Sequence, residues 1–260
     1  MTQRQNNQHF LVTGAGTGIG RAIALRLAAE GATLSLLARD ENRLQQTAAA
    51  AVAAGAARTH VLGADIRDRA AVDAAVDEAA SVLGPLRGII ANSGIGGVNE
   101  PGAGDRFDDI IATNLIGTYS CLRAAQRNLA ADGTRHMVVI ASILGRFGVP
   151  GYTGYCASKT GLLGLVRAMA MELAAEDVQV NAICPGWVNT EMARQGIAGM
   201  AEGMGVSYDE AYKVAMSAVP MGRMSEPSHV AGLIAWLVSA DAVGVTGQSS
   251  EMWSQFGTSI

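Results

Sequence analysis

Charge is scarce in this sequence. Asp, Glu, Lys and Arg make up 16% of its 260 residues, hydrophobic residues make up 49%, and the net charge is −4. No Lys/Arg cluster occurs, which speaks against nucleic acid or an anionic membrane as a partner. This balance is the reverse of a disordered chain's and supplies a large core. Cysteine is sparse as well. Cys121, Cys156 and Cys184 are odd in number and far apart. They read as reduced thiols of a cytosolic protein, not as a disulfide framework or a zinc site. His9, His60, His136 and His229 are dispersed, so no metal site is expected. No apolar run reaches the ~18 residues of a membrane span. Met1 to Gln8 is polar and predicts no signal peptide. A cytoplasmic protein is expected.

What is present is an alternation of strand and helix patterns. Strands are expected at His9–Thr13, Thr33–Ala38, Arg58–Gly63, Leu86–Ala91, the run ending at Ala141, Val178–Ile183 and Gln248–Met252. Helices are expected over Gly18–Glu30 with Gly31 terminating it, from Asp40 to Ala54, from Asp68 to Leu83, and from Phe107 to Asn128. Further helices are expected from Tyr155 to about Ala174 and over Pro227–Ser239. Asp40 and Asp68 suit helix starts, Gly31 a helix end, and Pro227 a first turn. Alternation implies right-handed crossovers and a parallel sheet covered on both faces. Without a linker or repeat, residues 1–260 read as one doubly wound α/β domain with a seven-stranded parallel sheet, a Rossmann fold.

The turn after the first strand reads Thr13-Gly14-Ala15-Gly16-Thr17-Gly18-Ile19-Gly20. Glycines there let the backbone approach a pyrophosphate, and the helix start offers free N–H groups and a positive dipole end. Such turns also arise from tight packing alone, but the place after a first strand favours a dinucleotide. An NAD site usually puts an acid at the end of the second strand. Here Ala38 holds that position and Arg39 follows. A guanidinium suits a 2′-phosphate, so NADP is expected, with NAD as the alternative if Asp40 meets the ribose. Asp65-Ile66 ends the third strand, where the carboxylate reaches either an adenine amino group or the next helix start.

Ser142 to Lys159 reads S-I-L-G-R-F-G-V-P-G-Y-T-G-Y-C-A-S-K. Tyr155 and Lys159 are i and i+4 at the start of a helical pattern and share a face. A cation about 5 Å from a phenolate stabilises it by about 3 kcal/mol at an effective dielectric near ~20. That is roughly two pKa units from the ~10 of free tyrosine, toward the range of a general acid/base. Ser142 follows a buried strand and can hydrogen-bond a substrate oxygen. Taken alone, the pair reads first as a half-buried ring beside a solvated lysine.

Together these residues resemble the short-chain dehydrogenase/reductases over nearly the whole chain. The shared pattern is T-G-x-x-x-G-I-G (Thr13 to Gly20), Asn92-Ser93-Gly94 after the fourth strand, Asn114 in N-L-I-G, Ser142, Tyr155-x-x-x-Lys159, and Pro185-Gly186 after the sixth strand. The resemblance implies that Tyr155 moves the proton, Lys159 lowers its pKa and holds the nicotinamide ribose, and Ser142 polarises the carbonyl. It implies that Asn114 fixes a water linking Lys159 to solvent, and that Asn92, Ser93 and Gly94 pass the adenosine ribose. Pro185, Gly186, Val188 and Thr190 would hold the nicotinamide. Family members are commonly dimers or tetramers, so a homo-oligomer is expected. Ser93 departs from the usual alanine. The tail from Ser249 through Trp253, Phe256 and Gly257 replaces the usual Asp-Gly-Gly, which predicts altered packing beside the substrate.

Residues 190–218 correspond to the family's variable substrate flap and carry Met192, Met200, Met204 and Met216. Methionine suits an adaptable apolar surface, and equally ordinary helix packing. Leu144, Phe147, Tyr152 and Trp187 would add apolar walls, and Arg146 is the nearby charge available to an anionic group. The implied activity is NADP(H)-dependent interconversion of a ketone and a secondary alcohol, with a fairly bulky apolar or aromatic substrate. Alternatives are an NAD-dependent alcohol or hydroxyacyl dehydrogenase, a non-catalytic dinucleotide-binding regulator and a structural subunit.

Overall fold

Seven parallel strands lie in the order β3-β2-β1-β4-β5-β6-β7. They are β1 (His9–Thr13), β2 (Thr33–Ala38), β3 (Arg58–Gly63), β4 (Gly88–Ala91), β5 (Arg135–Ile140), β6 (Val178–Pro185) and β7 (Ser249–Met252). The structure, a computed structural model, describes residues 4–252; Trp253 to Gly257, singled out above, lie outside the described residues.

Alternate residues of one strand feed opposite cores. Phe10 and Val12 of β1 join a cluster with α1 (Gly18–Ala29), α2 (Glu41–Ala54) and α9 (Pro227–Leu237). Leu11 between them joins the other cluster, with α3 (Arg69–Leu83), α5 (Thr118–Arg127) and α6 (Thr153–Leu173). Both faces are covered, which is why the inner strands read as unbroken apolar runs. The chain winds outward in opposite directions from β1 and β4, and ligands of such sheets bind at that switch point.

Local signals explain most boundaries. Asp40 accepts from Arg43 N at 3.0 Å and Asp68 from Ala71 N at 3.1 Å, so both start helices as expected. Gly31 follows α1 with φ +87°, a conformation that favours glycine.

Beyond shifts of one or two residues, such as α6 starting at Thr153 and not Tyr155, three boundaries differ from the sequence pattern for a visible reason. The helix expected from Phe107 to Asn128 is broken into α4 (Phe107–Ile111), a π turn over Ala112–Gly117, and α5. The cause is local: Asn114 is fully buried and bonded out of the helix, while Gly117 presses on Ile66, where an added Cβ would come within 2.8 Å. Hydrophobic period is nearly blind to one wide turn. β4 starts at Gly88 because Leu86 N and O pair instead with Asn128 O and Ala130 N. The strand read as ending at Ile183 runs on to Pro185, since β7 pairs with it to the last residue. The 190–218 segment forms α7 (Glu191–Met204) and α8 (Tyr208–Ser217), with a small core of their own around Ile197, Ala211 and Met216.

Candidate functional site

The glycine turn at the end of β1 is shaped by close backbone approach. A Cβ at Gly20 would collide with Gly14 O and lie 2.6 Å from Asn92 Nδ2. Gly14 has φ +64°, and a Cβ there would lie 2.8 Å from the same amide nitrogen. Asn92 earns its place by donating Nδ2 to Thr13 O at 3.0 Å and Gly14 O at 3.3 Å. The Thr13 hydroxyl accepts from both Asn92 N and Ser93 N at 3.0 Å. The exits of β1 and β4 are thereby held together beneath the switch point. Thr17 starts α1 exposed and without a side-chain cap, leaving first-turn N–H groups for an anion. Ile19 packs down into the sheet core beneath the turn.

Segment Pro185–Thr190 crosses toward this turn. Gly186 N bonds Met252 O at 3.0 Å, and Val188 is buried and bridged to Ser225. Thr190 caps α7 with its hydroxyl, and its methyl lies 3.2 Å from where a Cβ would stand on Gly18. The flap therefore begins directly over the glycine turn.

At the rim, Arg39 is exposed after β2, and its charge reaches Asp65. Asp40, the ribose acid considered above, caps α2 through Oδ1 and pairs through Oδ2 with Arg43 at 3.3 Å, so both its oxygens have partners. Asp65 does not reach for the next helix. Its carboxyl is held below the ordinary range chiefly by Arg67, which donates to it at 2.6–3.1 Å. Arg67 also donates to Asp109 at 2.9 Å. Ile66 packs under Gly117 of the π turn. Sequence reading passed over Arg67 and also Arg43, whose Cβ lies 3.1 Å from a Cβ placed on Gly16 and whose guanidinium meets Glu191 of α7 at 3.7 Å. The signal available was a second arginine four residues after Arg39.

Ser142, Tyr155 and Lys159 converge at the carboxyl ends of β4 and β5. Ser142 is buried and starts a short turn, accepting from Leu144 N at 3.2 Å. That turn lies on α6: a Cβ on Gly145 would be 2.9 Å from Lys159 O, and Thr160 Oγ1 donates to Gly145 O at 3.2 Å. Lys159 is buried, donates Nζ to Ile140 O at 2.9 Å, and lies 5.5 Å from the Tyr155 ring centre. Gly94 faces both Lys159 Nζ and Asn114 Oδ1, at 3.6 and 3.2 Å from an added Cβ. Asn114 Oδ1 accepts from Ile95 N, and its Nδ2 donates to Ile95 O and Ser158 Oγ.

The electrostatics differ from the simple Tyr–Lys expectation. Burial pushes the Tyr155 phenol up, opposed by the Ser142 hydroxyl beside it. Burial also pulls Lys159 down to about 8. The lysine at this distance does not win against desolvation, because burial penalises both charged forms. An anionic phenol here needs more than Lys159.

The apolar wall is split. Leu144 and Tyr152 are half-buried on the turns flanking Ser142 and Tyr155. Met192 reaches across to Gly96, 3.3 Å from where a Cβ would stand. Trp187 lies against Gly196 of α7 and joins the flap's own core, as do Met200 and Met216. Arg146 does not wait for an anion. It donates to Ser249 O at 2.9 Å and pairs with Glu251 at 3.3 Å, tying the Ser142 turn to β7.

A nucleotide crevice at a sheet switch point, with proton-handling groups opening into it, defines a Rossmann-type oxidoreductase. Comparison with known proteins gives the family. The short chain dehydrogenase model matches residues 8–200. The chain is 32% identical to 2-(S)-hydroxypropyl-CoM dehydrogenase 3 of Xanthobacter autotrophicus, covering 95% of both chains. It is 34% identical to human (3R)-3-hydroxyacyl-CoA dehydrogenase, over 93% of this chain and 92% of that one. Among solved structures, levodione reductase superposes with TM-score 0.89 at 31% identity, covering 96% and 97% of the two chains. A variant of actinorhodin polyketide ketoreductase with NADPH gives TM-score 0.89 at 33% identity, with 99% of each covered. The chain belongs to the short-chain dehydrogenase/reductase family. It is an NAD(P)-dependent oxidoreductase acting between carbonyl and alcohol.

Proposed function

We propose that this enzyme interconverts a ketone and a secondary alcohol with NADP(H), Tyr155 moving the proton. The convergence of Ser142, Tyr155 and Lys159 beside a glycine-lined crevice carries the reading. The turn suits a dinucleotide because Gly14 and Gly20 let it close tightly against Asn92 while the first-turn N–H groups of α1 stay available to a pyrophosphate. The bound nicotinamide supplies or accepts the hydride.

The chain's own residues do the rest. Ser142 Oγ accepts the Leu144 N–H and keeps its own proton to donate to the substrate oxygen. The raised pKa keeps Tyr155 protonated at neutral pH, the form needed to donate to a developing alkoxide. Lys159, with a value of about 8, still carries its proton at pH 7 and offers a positive charge beside that oxygen. Asn114 stands next to it over Gly94, where a proton passes toward solvent. Arg39, exposed and without a carboxylate hydrogen-bond partner among the described residues, is assigned to the 2′-phosphate. Leu144, Tyr152 and Met192 favour a bulky apolar or aromatic substrate. Exposed Met171 and Ile116 support a homo-oligomer.

Tyr155→Phe is expected to lower turnover by about 10³-fold and leave dinucleotide affinity nearly intact. Arg39→Ala is expected to raise KM for NADPH about 10- to 100-fold, the loss of a charge-assisted pair, with little change for NADH. Equal effects on both would remove the cofactor assignment. A panel of ketones assayed by absorbance tests the substrate class, and activity confined to small charged ketoacids would overturn it.

A further inference from the structure

The helix that carries Tyr155 begins without a cap of its own. Tyr152 stands at the start of α6 and makes no side-chain cap bond. The first N–H groups of a helix have no partner within it. Here one is met from far away: Gly154 N donates to Asn99 Oδ1 at 2.8 Å, in a buried contact between residues 55 apart in sequence. Asn99 lies in the irregular segment between β4 and α4 and is 9% exposed. Its own N–H donates to Gly151 O at 2.7 Å. Its Nδ2 donates to Asp105 Oδ1 at 2.9 Å, and that oxygen also accepts from Phe107 N at 3.0 Å. Asp105 therefore fixes which way the amide points, oxygen toward α6. The approach favours glycine at 154, since a Cβ would lie 3.0 Å from Asn99 Oδ1 and 3.3 Å from Phe107 Cα.

Tyr155 is the next residue, in the first turn, where helices fray. Lys159 is a turn deeper and separately anchored to Ile140 O. The backbone of the Ser142 turn is tied to α6 through Gly145, at the level of Lys159 and Thr160. The contact from Asn99 holds the tyrosine's own turn from its N–H side, while Ser158 Oγ, bonded in turn by Asn114, meets Tyr155 O at 2.8 Å.

We infer that Asn99 is a positioning residue for proton transfer: by capping α6 from outside, it sets Tyr155 against Ser142. The inference rests on Tyr155 being the proton-transfer group. Displacements near 1 Å at such a centre cost about 10²-fold in rate.

The test is turnover per dinucleotide-binding site, counted by titration with NADPH, so that misfolded enzyme does not enter. Asn99→Ala is expected to lower kcat per site about tenfold or more, with the Kd for NADPH within about twofold. Asp105→Ala, which only frees the amide to turn, is expected to lower it about threefold. Asn99→Asp alone sets two carboxylates together and should be as poor as Asn99→Ala. The double variant Asn99→Asp/Asp105→Asn exchanges donor and acceptor, keeps an oxygen toward Gly154, and should return to within about threefold of wild type. Unchanged kcat per site in Asn99→Ala overturns the inference, and so does failure of the exchange to restore rate. Amide hydrogen exchange over residues 153–155 decides the capping without any assay of turnover: it should quicken in Asn99→Ala and not over residues 159–165. If Tyr155→Phe keeps wild-type turnover, the proposed function fails while the exchange data still judge the cap. If Tyr155→Phe is inactive and Asn99→Ala is normal per site, the inference alone fails.

Discussion

The glycine turn and the α7–α8 flap face one another across the same crevice and are built on opposite terms. At the turn, backbone meets backbone. Gly20, Gly14 and the Asn92 amide occupy one another's space so closely that a single methyl has nowhere to go. The flap holds itself with a small apolar core of alanines, Ile197 and Met216, and touches the rest through Met192, Thr190 and the weak Arg43–Glu191 pair. Sites that bind a constant group can be fixed by exclusion. Sites that must fit a particular substrate are fixed by apolar packing, which tolerates exchange of one side chain for another.

The largest effect expected to sharpen this contrast is Gly20→Ala. The added methyl should abolish measurable dinucleotide binding by calorimetry and lower the melting temperature; retained affinity would break the contrast. Next is Met216→Ala, which opens a cavity in the flap core at about 2–5 kcal/mol. It should raise KM for the ketone several-fold and leave the Kd for NADPH unchanged. A loss of nucleotide affinity would mean the two regions fold as one.

The sheet below the turn and the flap also differ in titration. His136 lies buried in β5 with Nδ1 unbonded, and burial lowers it to about 4. Residues 190–224 contain no histidine. Between about pH 6.5 and 4 the unfolded chain binds a proton at this position and the folded one does not. Stability is therefore complete above about 6.5 and falls as the pH drops toward 4, by at most about 3 kcal/mol. His136→Gln should flatten that fall in urea unfolding followed across the same range. The smallest effect belongs to the only ion pair described between α2 and the flap. Arg43→Ala removes an exposed contact of 3.7 Å and should cost under about 1 kcal/mol, measured in a double-mutant cycle with Glu191→Ala.

Much of the frame was readable before any coordinates. β1 and β2 fall on the expected residues because the runs are short, largely apolar and followed by Gly14 and Asp40, and the more polar β3 lies where expected between Gly55 and Asp65. The starts of α2 and α3 followed from Asp40 and Asp68, whose cap bonds are local. The sequence pattern also brought Ser142, Tyr155 and Lys159 to one place. What escaped was non-local. Neither the π turn at Asn114 nor the bond from Asn99 to Gly154 has a periodic signature, since each depends on a residue tens of positions away. Arg146 looked available because its partners, Ser249 O and Glu251, come from the far end of the chain. The Tyr–Lys spacing put the amine beside the ring, 5.5 Å from its centre, but spacing says nothing of desolvation, which raises the phenol and lowers the lysine.

The Thr13 hydroxyl, which receives two N–H groups from the neighbouring strand's exit, works like a rivet through caliper jaws. It holds the exits of β1 and β4 at one spacing, so on the function proposed above a change of preferred cofactor is expected to be made outside the jaws, at position 39, by exchanging charge and leaving the aperture alone.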